Sequence, residues 1–415
     1  MTVTTPAARS FDIIVAGGSF AGLAVVRGLV QALGPDLRIA IIDRAKGPGG
    51  ASSDGRAFAI WAGAKAVLDG LGVWETIAPK AQVMTAIEIT DSALSDGIRP
   101  TRLTYDARTP EGAPAAFMVP ARVLSAALAQ SIEKARGVTW IAPAEAEGLV
   151  LSPHAAEITL RGGETLSAPL CIAADGKHSK LRDAADIKTV GWAYGQTGIV
   201  TTVAFSEPHD GVAIQHFLPG GPFAILPLND QRACITWSAE REEAARVMAL
   251  DDAGFLAELD LRIGGRFGSI SLDGPRQSWP LDIVIPRQLI ANRFALIGDA
   301  AHGVHPIAGQ GVNLALRDAA ALVEIIADAA RLGLDLGAGV HLERYQRWRR
   351  FDSFMSASVY DGLNRIFGAD NMILRAGRGA ALGVLDRVGG AKSLILAEAA
   401  GVTGDLPKLA RGCPV

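Results

Sequence analysis

The feature that most constrains the fold is a strand, a Gly-rich turn, a helix and a second strand near the N-terminus. Asp12–Ala16 is a short apolar strand, Gly17–Gly22 reads GGSFAG, a helix runs from Leu23 to about Leu33, and the strand Leu37–Ile42 ends at Asp43. This order is typical of a βαβ unit that binds a dinucleotide, because the helix start receives a pyrophosphate and the acidic residue binds ribose hydroxyls. The pattern therefore predicts a Rossmann-like unit.

The Gly-rich turn departs from the usual motif at one position. Gly17 supplies the tight turn and Gly22 lets the helix pack closely on the strand, but Ser19 stands in place of the middle glycine. Serine adds little bulk, so a pyrophosphate can still approach the backbone. We expect Gly17, Ser19, Gly22, Asp43 and the neighbouring Arg44 to contact a dinucleotide.

A second motif lies in the C-terminal half, where residues 293–318 read as a strand, a charged turn, a Gly-rich loop and a helix start. Asp299 can accept hydrogen bonds from sugar hydroxyls. The loop from Pro306 to Gly311 carries little bulk, so a flat ring can approach its backbone, and the N–H groups that open the helix would point at that ring. A helix start favours the negative charge of a reduced flavin. The motif predicts flavin contacts from Gly298, Asp299, Gly309, Gln310, Gly311, Val312 and Asn313, although taken alone it also suits a plain turn and helix entry.

Composition limits the possible classes of protein. The chain has 415 residues, of which 49% are apolar, so it is long enough for two domains with a large core. A net charge of −3 argues against nucleic acid as a partner. Cys171, Cys234 and Cys413 show no metal spacing, which favours a reducing compartment. The N-terminus does not resemble a signal peptide, and no apolar run reaches the length of a membrane span. We expect a cytoplasmic protein.

The remaining pattern predicts an interleaved organisation of helices and strands. Residues 54–72 and Val119–Arg136 are expected to be helical, and strands are expected within residues 81–103. A strand meander is expected at Val138–Ile141, Gly148–Leu151 and Glu157–Leu160, followed by a strand at Leu170–Ala174. An antiparallel sheet is expected from Ile199–Phe205, Val212–Leu218, Phe223–Leu226 and Ala233–Trp237, which are separated by turn residues.

The predicted fold is mixed α/β. It comprises a discontinuous Rossmann-like FAD-binding domain, an inserted antiparallel-sheet substrate domain and C-terminal helices. The expected boundaries are residues 1–80, 104–182 and 276–340 for the first, 81–103 and 183–275 for the second, and 341–415 for the third. An apolar cleft between the first two is where an aromatic substrate would sit.

Several motifs in this order resemble those of the single-component FAD-dependent aromatic hydroxylases, in particular the ubiquinone-biosynthesis hydroxylases of the UbiH/UbiF type. They are Gly17–Gly22, Asp54-Gly-Arg56, Asp175-Gly176 with Arg182, Gly221–Pro227 and Gly298–Asn313. The resemblance implies FAD as cofactor and NAD(P)H as electron donor. Because no second dinucleotide fingerprint occurs, NAD(P)H would bind transiently, and a ferredoxin-like donor is the alternative.

The resemblance also implies roles for individual residues. Arg56 and Arg122 would contact the phosphates or the flavin neighbourhood, which suits a planar guanidinium. Asp175 would lie near the pyrophosphate and the nicotinamide route, and Asp299 would hold the ribityl chain. Arg182 is as well explained by local pairing with the neighbouring Asp183.

The implied reaction is hydroxylation of a polyprenylated phenol by a flavin hydroperoxide in ubiquinone biosynthesis. Pro306 would face the flavin, and Pro222 would lie across the cleft. His302, His305 and His216 are candidates for phenol deprotonation, although a structural role suits a histidine in a Gly-Pro loop and an activated phenol needs no base. A metal site is not expected, because no third ligand accompanies His302 and His305.

Two alternatives to the polyprenylated phenol stay open at this stage. One is a hydroxylase of a small soluble aromatic compound, and the other is a non-catalytic prenyl-binding scaffold of the same fold. The C-terminal helices are expected either to cover the flavin domain or to contact partner enzymes or the inner face of the membrane, where a prenyl tail would stay in lipid. Such docking would be mainly apolar, because the net charge gives no pull toward anionic lipid.

Overall fold

The computed structural model describes residues 8–47, 55–94, 99–109, 111–304, 309–350, 352, 362 and 389–415. The strands are β1 (Arg9–Ser10), β2 (Ile13–Ala16), β3 (Ile39–Ile42), β4 (Ala57–Trp61), β5 (Gln82–Val83), β6 (Ala86–Asp91), β7 (Thr101–Asp106), β8 (Ala116–Pro120), β9 (Val138–Ile141), β10 (Ala146–Leu151), β11 (Ala156–Leu160), β12 (Thr165–Ala168), β13 (Leu170–Ala173), β14 (Thr189–Phe205), β15 (Val212–Leu218), β16 (Gly221–Leu228), β17 (Arg232–Glu240), β18 (Ile270–Leu272), β19 (Gln277–Pro286), β20 (Ile290–Ala291) and β21 (Phe294–Leu296).

The helices are α1 (Phe20–Leu33), α2 (Ala62–Gly70), α3 (Trp74–Ile77), α4 (Ala121–Ile132), α5 (Lys180–Ala184), α6 (Arg241–Met248), α7 (Asp252–Ile263), α8 (Gly311–Arg331) and α9 (Gly389–Ala400). Residues 339–350 are also helical, and short 3-10 turns occur at Ala78–Lys80, Gly298–Ala300 and Leu409–Arg411. Within the described residues, no helix is long and apolar enough to cross a membrane.

A six-stranded sheet forms the centre of the molecule, in the order β20-β21-β13-β2-β3-β9. Its pairs are parallel except for β20 with β21. The sequences IIVA, IAII and LCIA of β2, β3 and β13 are entirely buried, as expected for parallel strands that are covered on both faces. Helices α1 and α8 approach closely, since a Cβ on Gly28 would lie 2.7 Å from the side chain of Val323. The predicted βαβ unit is confirmed.

An eight-stranded sheet has the order β18-β14-β17-β16-β15-β6-β7, with β19 also paired to β14. It is antiparallel except for the parallel pair of β15 and β6. Successive side chains point to opposite faces. We call the two faces the helix-covered face, where Ile214, Phe223 and Trp237 pack with α6 and α7, and the inner face, where Ala213 and Cys234 pack with β4, β8 and α9. The predicted antiparallel sheet is confirmed.

Two local predictions are wrong. The helix expected over residues 54–72 begins only at Ala62, because Ala57–Trp61 forms β4 and pairs with β8. The expected meander also fails, since Val138–Ile141 joins the six-stranded sheet beside β3 while β10 and β11 belong to a separate four-stranded sheet. In both places short apolar runs carry no information about their pairing partner.

The domain boundaries themselves stay a prediction. The sheet pairing bears on one of them, because β19 lies in the eight-stranded sheet although the expected boundary at residue 276 assigned it to the FAD-binding domain. The edge strand β7 extends past the expected boundary at residue 103 and pairs with β6.

Candidate functional site

The Gly-rich turn between β2 and α1 is sterically restricted to glycine at two positions. Gly17 has φ +111°, and a Cβ there would overlap the carbonyl of Ala174 at the end of β13. A Cβ on Gly22 would overlap the carbonyl oxygen of Gly17. These contacts bring the start of α1 against the ends of β2 and β13, where a helix start can bind phosphate.

The carboxylate of Asp43 is held beside this turn. It accepts hydrogen bonds from the backbone N–H of Gly18 and, at 2.6 Å, from that of Ala45. Ser19 is the N-cap of α1, and its side chain makes no capping hydrogen bond. The neighbouring Arg44 is exposed. The sequence-predicted residues of the first motif are thus brought together at one end of the sheet.

The second motif places a carboxylate next to another helix start. Gly298 has φ +61° and turns the chain after β21, so that Asp299 is exposed. A Cβ on Gly311, the first residue of α8, would lie 3.8 Å from Oδ1 of Asp299. Asp299 and the positive end of the α8 dipole are therefore neighbours.

The side chains of two predicted cofactor residues, Asn313 and Gln310, form hydrogen bonds within the protein. Asn313 donates through Nδ2 to the carbonyls of Ala59 at 2.8 Å and Gly309 at 3.1 Å, and its Oδ1 accepts from the backbone N–H of Trp61 at 2.9 Å. Gln310 donates to the carbonyl of Ala399 in α9 at 3.2 Å. The side-chain amide of Asn313 is thus engaged by the protein at both ends, and that of Gln310 at its nitrogen. The side chain of Val312, which directly precedes Asn313 in the helix start, is buried.

The two predicted cofactor arginines lie at adjoining backbone segments. The guanidinium of Arg56 lies 5.4 Å from the ring centre of Phe58 and 5.6 Å from that of Trp279. Its carbonyl accepts from the N–H of Ala121, the residue that begins α4, and the exposed Arg122 follows directly. A guanidinium stacked on two aromatic rings is preoriented for a planar anionic group.

Arg182 differs from these arginines, because it is buried. Its guanidinium donates to the carbonyls of Lys177 at 2.9 Å and Ala300 at 3.3 Å. It also lies 3.5 Å from the carboxylate of Asp183, the local pair that the sequence suggested. Arg182 thereby connects the loop after β13 to the turn after β21, which favours a structural role.

Asp175 follows β13 and is mostly enclosed. Burial raises the pKa of this carboxyl, against the opposing effect of hydrogen bonds from Ser179 and the backbone. Its Oδ1 is buried and has no hydrogen-bond partner within the described part of the chain. The preceding residue, Ala174, contacts Gly17, so Asp175 lies beside the first motif.

His302 is fully buried in a charged cluster. Its Nε2 donates to Oδ2 of Asp318 at 2.5 Å, and Oδ1 of the same carboxylate accepts from Arg349 at 2.8 Å. This placement favours the structural alternative for His302 over the role of a base. The other two candidates of this loop, His305 and Pro306, lie outside the described residues.

His216 projects to the helix-covered face of the eight-stranded sheet. It shares a hydrogen bond of 2.6 Å with Thr90, and its ring lies 6.3 Å from that of Phe223. Burial, together with Arg99 and Arg266, lowers its pKa to about 4. The His216 side chain therefore does not project to the inner face of the sheet.

Pro222 is buried on β16, opposite Phe217 of β15. By the alternation along β16 it lies on the same face as Leu226, which packs against the inner-face cluster. Of the two predicted catalytic residues on this sheet, Pro222 is thus the one that projects to the inner face.

The sequence of residues 10–349 matches the family described as "FAD binding domain". Ubiquinone hydroxylase UbiL of Rhodospirillum rubrum is 34% identical over 418 residues, covering 100% of this chain and 95% of that protein. The chain belongs to the FAD-dependent ubiquinone-biosynthesis hydroxylase family. Another member of similar length, the 3-demethoxyubiquinol 3-hydroxylase of Escherichia coli, is 31% identical, covering 94% of this chain and 98% of its own.

A solved structure supports the fold of this hydroxylase. The crystal structure of p-nitrophenol 4-monooxygenase PnpA from Pseudomonas putida superimposes with a TM-score of 0.78, covering 94% of this chain and 98% of that one. The sequence identity is 17%, so this likeness concerns the fold alone.

The residues present fit the cofactor of the family, FAD. Gly17 and Gly22 let the start of α1 pack against the ends of β2 and β13, which brings its N–H groups to the edge of the sheet, and two helix starts, those of α1 and α8, have acidic side chains beside them. Asp43 and Asp299 would bind sugar hydroxyls at opposite ends of the cofactor. NAD(P)H is the typical electron donor of this family of hydroxylases.

The sequence pattern did not identify the residues that hold the predicted site residues in place. Asp318, which also accepts from Arg349, holds His302; the ring of Trp279 contacts Arg56, and Thr90 holds His216. The available signal was Asp318, an acidic residue directly before the apolar run Ala319–Val323 of α8, because a carboxylate buried with such a run requires a partner. The partners themselves come from distant parts of the sequence.

Proposed function

We propose that this hydroxylase adds oxygen to the ring of a polyprenylated phenol on the way to ubiquinone. The observation that carries the proposal is an apolar wall beside the Gly-rich loop. A Cβ on Gly309 would lie 3.4 Å from the Cβ of Ala59, and Ala59 belongs to the buried cluster that includes Ala213, Cys234 and Ala400. An aromatic ring next to the flavin would meet this wall. Relatives named for ubiquinone hydroxylation, matched over nearly the whole chain, supply the substrate class.

The proposed cofactor site combines the two motifs. Bound FAD supplies the activation of O₂, and the chain binds and orients it. The residues that we propose to hold FAD are Gly17, Ser19, Gly22, Asp43, Arg44, Arg56, Arg122, Asp175, Gly298, Asp299, Gly309, Gln310, Gly311, Val312 and Asn313. The contribution of Gln310, Val312 and Asn313 is through the backbone. NAD(P)H is proposed to bind transiently near Asp175.

The proposed substrate site lies on the inner face of the eight-stranded sheet. Gln215 is on this face, between Ala213 and Phe217, and its Nε2 is buried without a hydrogen-bond partner among the described residues. Leaving such a donor unpaired costs free energy, whereas an oxygen on the substrate ring would pair with it. We propose that Gln215 orients the phenol, with Pro222 as a neighbouring contact and Pro306 on the flavin side.

We propose that neither His302 nor His216 acts as the base, because His302 is enclosed by Asp318 and its partners and His216 projects to the helix-covered face. His305 keeps its place as a candidate. A phenol with alkyl and alkoxy substituents is activated already, and the main tasks of the chain are then to orient the ring and to exclude water.

The test is turnover by the purified protein reconstituted with FAD. NAD(P)H oxidation and the hydroxylated product, detected by mass spectrometry, are measured with the same phenol carrying or lacking a prenyl tail. We expect faster oxidation and product with the tailed phenol. Turnover of the untailed compound alone would support the soluble-aromatic alternative, and flavin that stays oxidised with every donor would support the scaffold.

We also propose peripheral contact with the membrane through the C-terminal region. Ile395 in α9 and Val402 after it are 46% and 41% exposed, while Ala399 and Ala400 of the same segment pack toward the substrate wall. This segment therefore adjoins both the wall and solvent. Co-sedimentation with neutral lipid vesicles tests the contact, and Ile395→Ser is expected to weaken it.

A further inference from the structure

The backbone before the Gly-rich loop and at its described end is held by the single helix α8. Before the loop, Asp318 binds Gly298 and His302; within its last residues, Asn313 binds Gly309. Both side chains are buried and five residues apart on that helix. The segment before the loop and the described end of the loop are thus fixed to one helix.

The first attachment is the buried carboxylate of Asp318, both oxygens of which accept hydrogen bonds. Oδ2 of Asp318 accepts from the N–H of Gly298 at 3.0 Å and from His302 at 2.5 Å, and Oδ1 accepts from Arg349 at 2.8 Å. Burial raises the pKa of Asp318, but His302 and Arg349 outweigh this effect, so its pKa lies below the ordinary value. The carboxylate, which is bonded to the N–H of Gly298, therefore fixes the turn at that glycine, directly before Asp299.

The helical stretch 339–350 supports this attachment from outside. Arg349 also donates to Asp352 at 2.7 Å, and the hydroxyl of Tyr345 donates to the carbonyl of Leu296 at 2.7 Å, at the end of β21. The turn after β21 is thus fixed through Leu296 as well as through Gly298.

The second attachment is the side chain of Asn313. It joins Gly309 to the backbone of β4 at Ala59 and Trp61, using both amide hydrogens and the carbonyl oxygen. This places the start of α8 against the apolar wall.

We infer that Asp318 and Asn313 are paired positioning residues, which hold Asp299 and the start of α8 at the fixed separation that a flavin requires. The inference rests on the proposed cofactor placement and extends it to residues that do not touch the cofactor. It predicts that FAD affinity depends on both side chains, and that their effects are not independent, because both act on one cofactor-binding geometry.

The experiment measures the Kd of FAD for folded apoprotein, by quenching of flavin fluorescence, together with the flavin midpoint potential. We expect Asp318→Asn and Asn313→Ala each to weaken FAD binding roughly tenfold or more, since each disrupts buried hydrogen bonds. The double variant is expected to weaken it less than the product of the two. The midpoint potential is expected to fall, because the start of α8 no longer faces the reduced ring.

The matched control is Asp328→Asn, on the same helix, where the carboxylate is partly exposed and pairs with Arg344 at 3.2 Å. It is expected to change stability slightly and leave the Kd and the potential as in the wild type. If Asp318→Asn does not fold, His302→Gln decides, with an expected weakening of about threefold from the loss of one charge-assisted bond.

Unchanged Kd and potential in the folded variants would overturn the inference, and so would strictly multiplicative effects in the double variant. The readouts involve no substrate, so the outcome is separate from that of the proposed function. A wild type that binds FAD but hydroxylates no phenol contradicts the substrate and not the positioning. A wild type that binds no FAD overturns both.

Discussion

The largely parallel six-stranded sheet and the eight-stranded sheet form the proposed cofactor and substrate sites by different means. The first shapes its site with backbone: Gly17 and Gly22 admit no Cβ, and Asp43 is fixed by two backbone N–H groups. The second uses side-chain alternation, so that Gln215 and His216 are chain neighbours on opposite faces. Binding of a constant cofactor can be specified by backbone geometry, whereas the choice of substrate depends on which side chains project inward.

The largest effect is expected from breaking the backbone geometry of the first region. In Gly22→Ala the new Cβ overlaps the carbonyl oxygen of Gly17 and lies 3.2 Å from Val15, so α1 must move off β2. We expect a loss of about 3 kcal/mol in the free energy of unfolding, measured with urea, and purification without FAD.

The control for this change is Gly339→Ala, where a Cβ meets nothing within 4 Å. Its free energy of unfolding should stay within about 1 kcal/mol of the wild type. A Gly22→Ala protein that retains FAD at wild-type stability contradicts the steric account.

The second region should respond to pH through His216. Burial lowers its pKa from 6.5 to about 4, so the unfolded chain binds the proton more readily than the folded one. The stabilisation that neutral His216 gives to the folded state is fully present above pH 6.5 and is lost as the pH falls toward 4. We expect this residue to lower the free energy of unfolding by about 3 kcal/mol over that range. His216→Gln should remove this part of the pH dependence; identical profiles for variant and wild type would show that His216 is not buried as described.

An effect of intermediate size is expected when only the carboxylate of Asp299 is removed from the proposed cofactor site. Asp299→Ala should raise the Kd of FAD roughly thirtyfold, because charge-assisted hydrogen bonds to sugar hydroxyls are lost. Asp273→Ala, which removes a surface partner of Arg232 near the eight-stranded sheet, is the control and should leave the Kd unchanged. Equal affinities for all three proteins would remove Asp299 from the site.

The smallest effect is expected from two neighbouring residues of β15 that project to opposite faces of the eight-stranded sheet. Gln215→Leu should lower kcat/KM for the phenol about tenfold and increase NAD(P)H oxidation without product, because the ring loses its hydrogen bond. His216→Gln, one residue away on the other face, should stay within about threefold of wild-type kcat/KM at neutral pH. The reverse ranking would mean that the substrate lies on the helix-covered face.

The sequence was most informative where the backbone itself is the functional part. Glycine at positions 17, 22 and 298 marks turns and close approaches that other residues cannot make, so the βαβ unit and the two helix starts could be predicted. The pairing of short apolar runs could not, which is why the sequence pattern predicts helix at β4 and the wrong partner strands for β9. The surroundings of His302 and Asn313 depend on contacts between distant residues, and local pattern does not encode them.

The most direct test of the central claim is quinone profiling by mass spectrometry in a strain that lacks this chain. The account predicts accumulation of a prenylated intermediate short of one ring oxygen, corrected by the wild-type chain and not by Asp299→Ala. A quinone pool that is unchanged by the deletion, with no such intermediate, would contradict hydroxylation of a ubiquinone precursor.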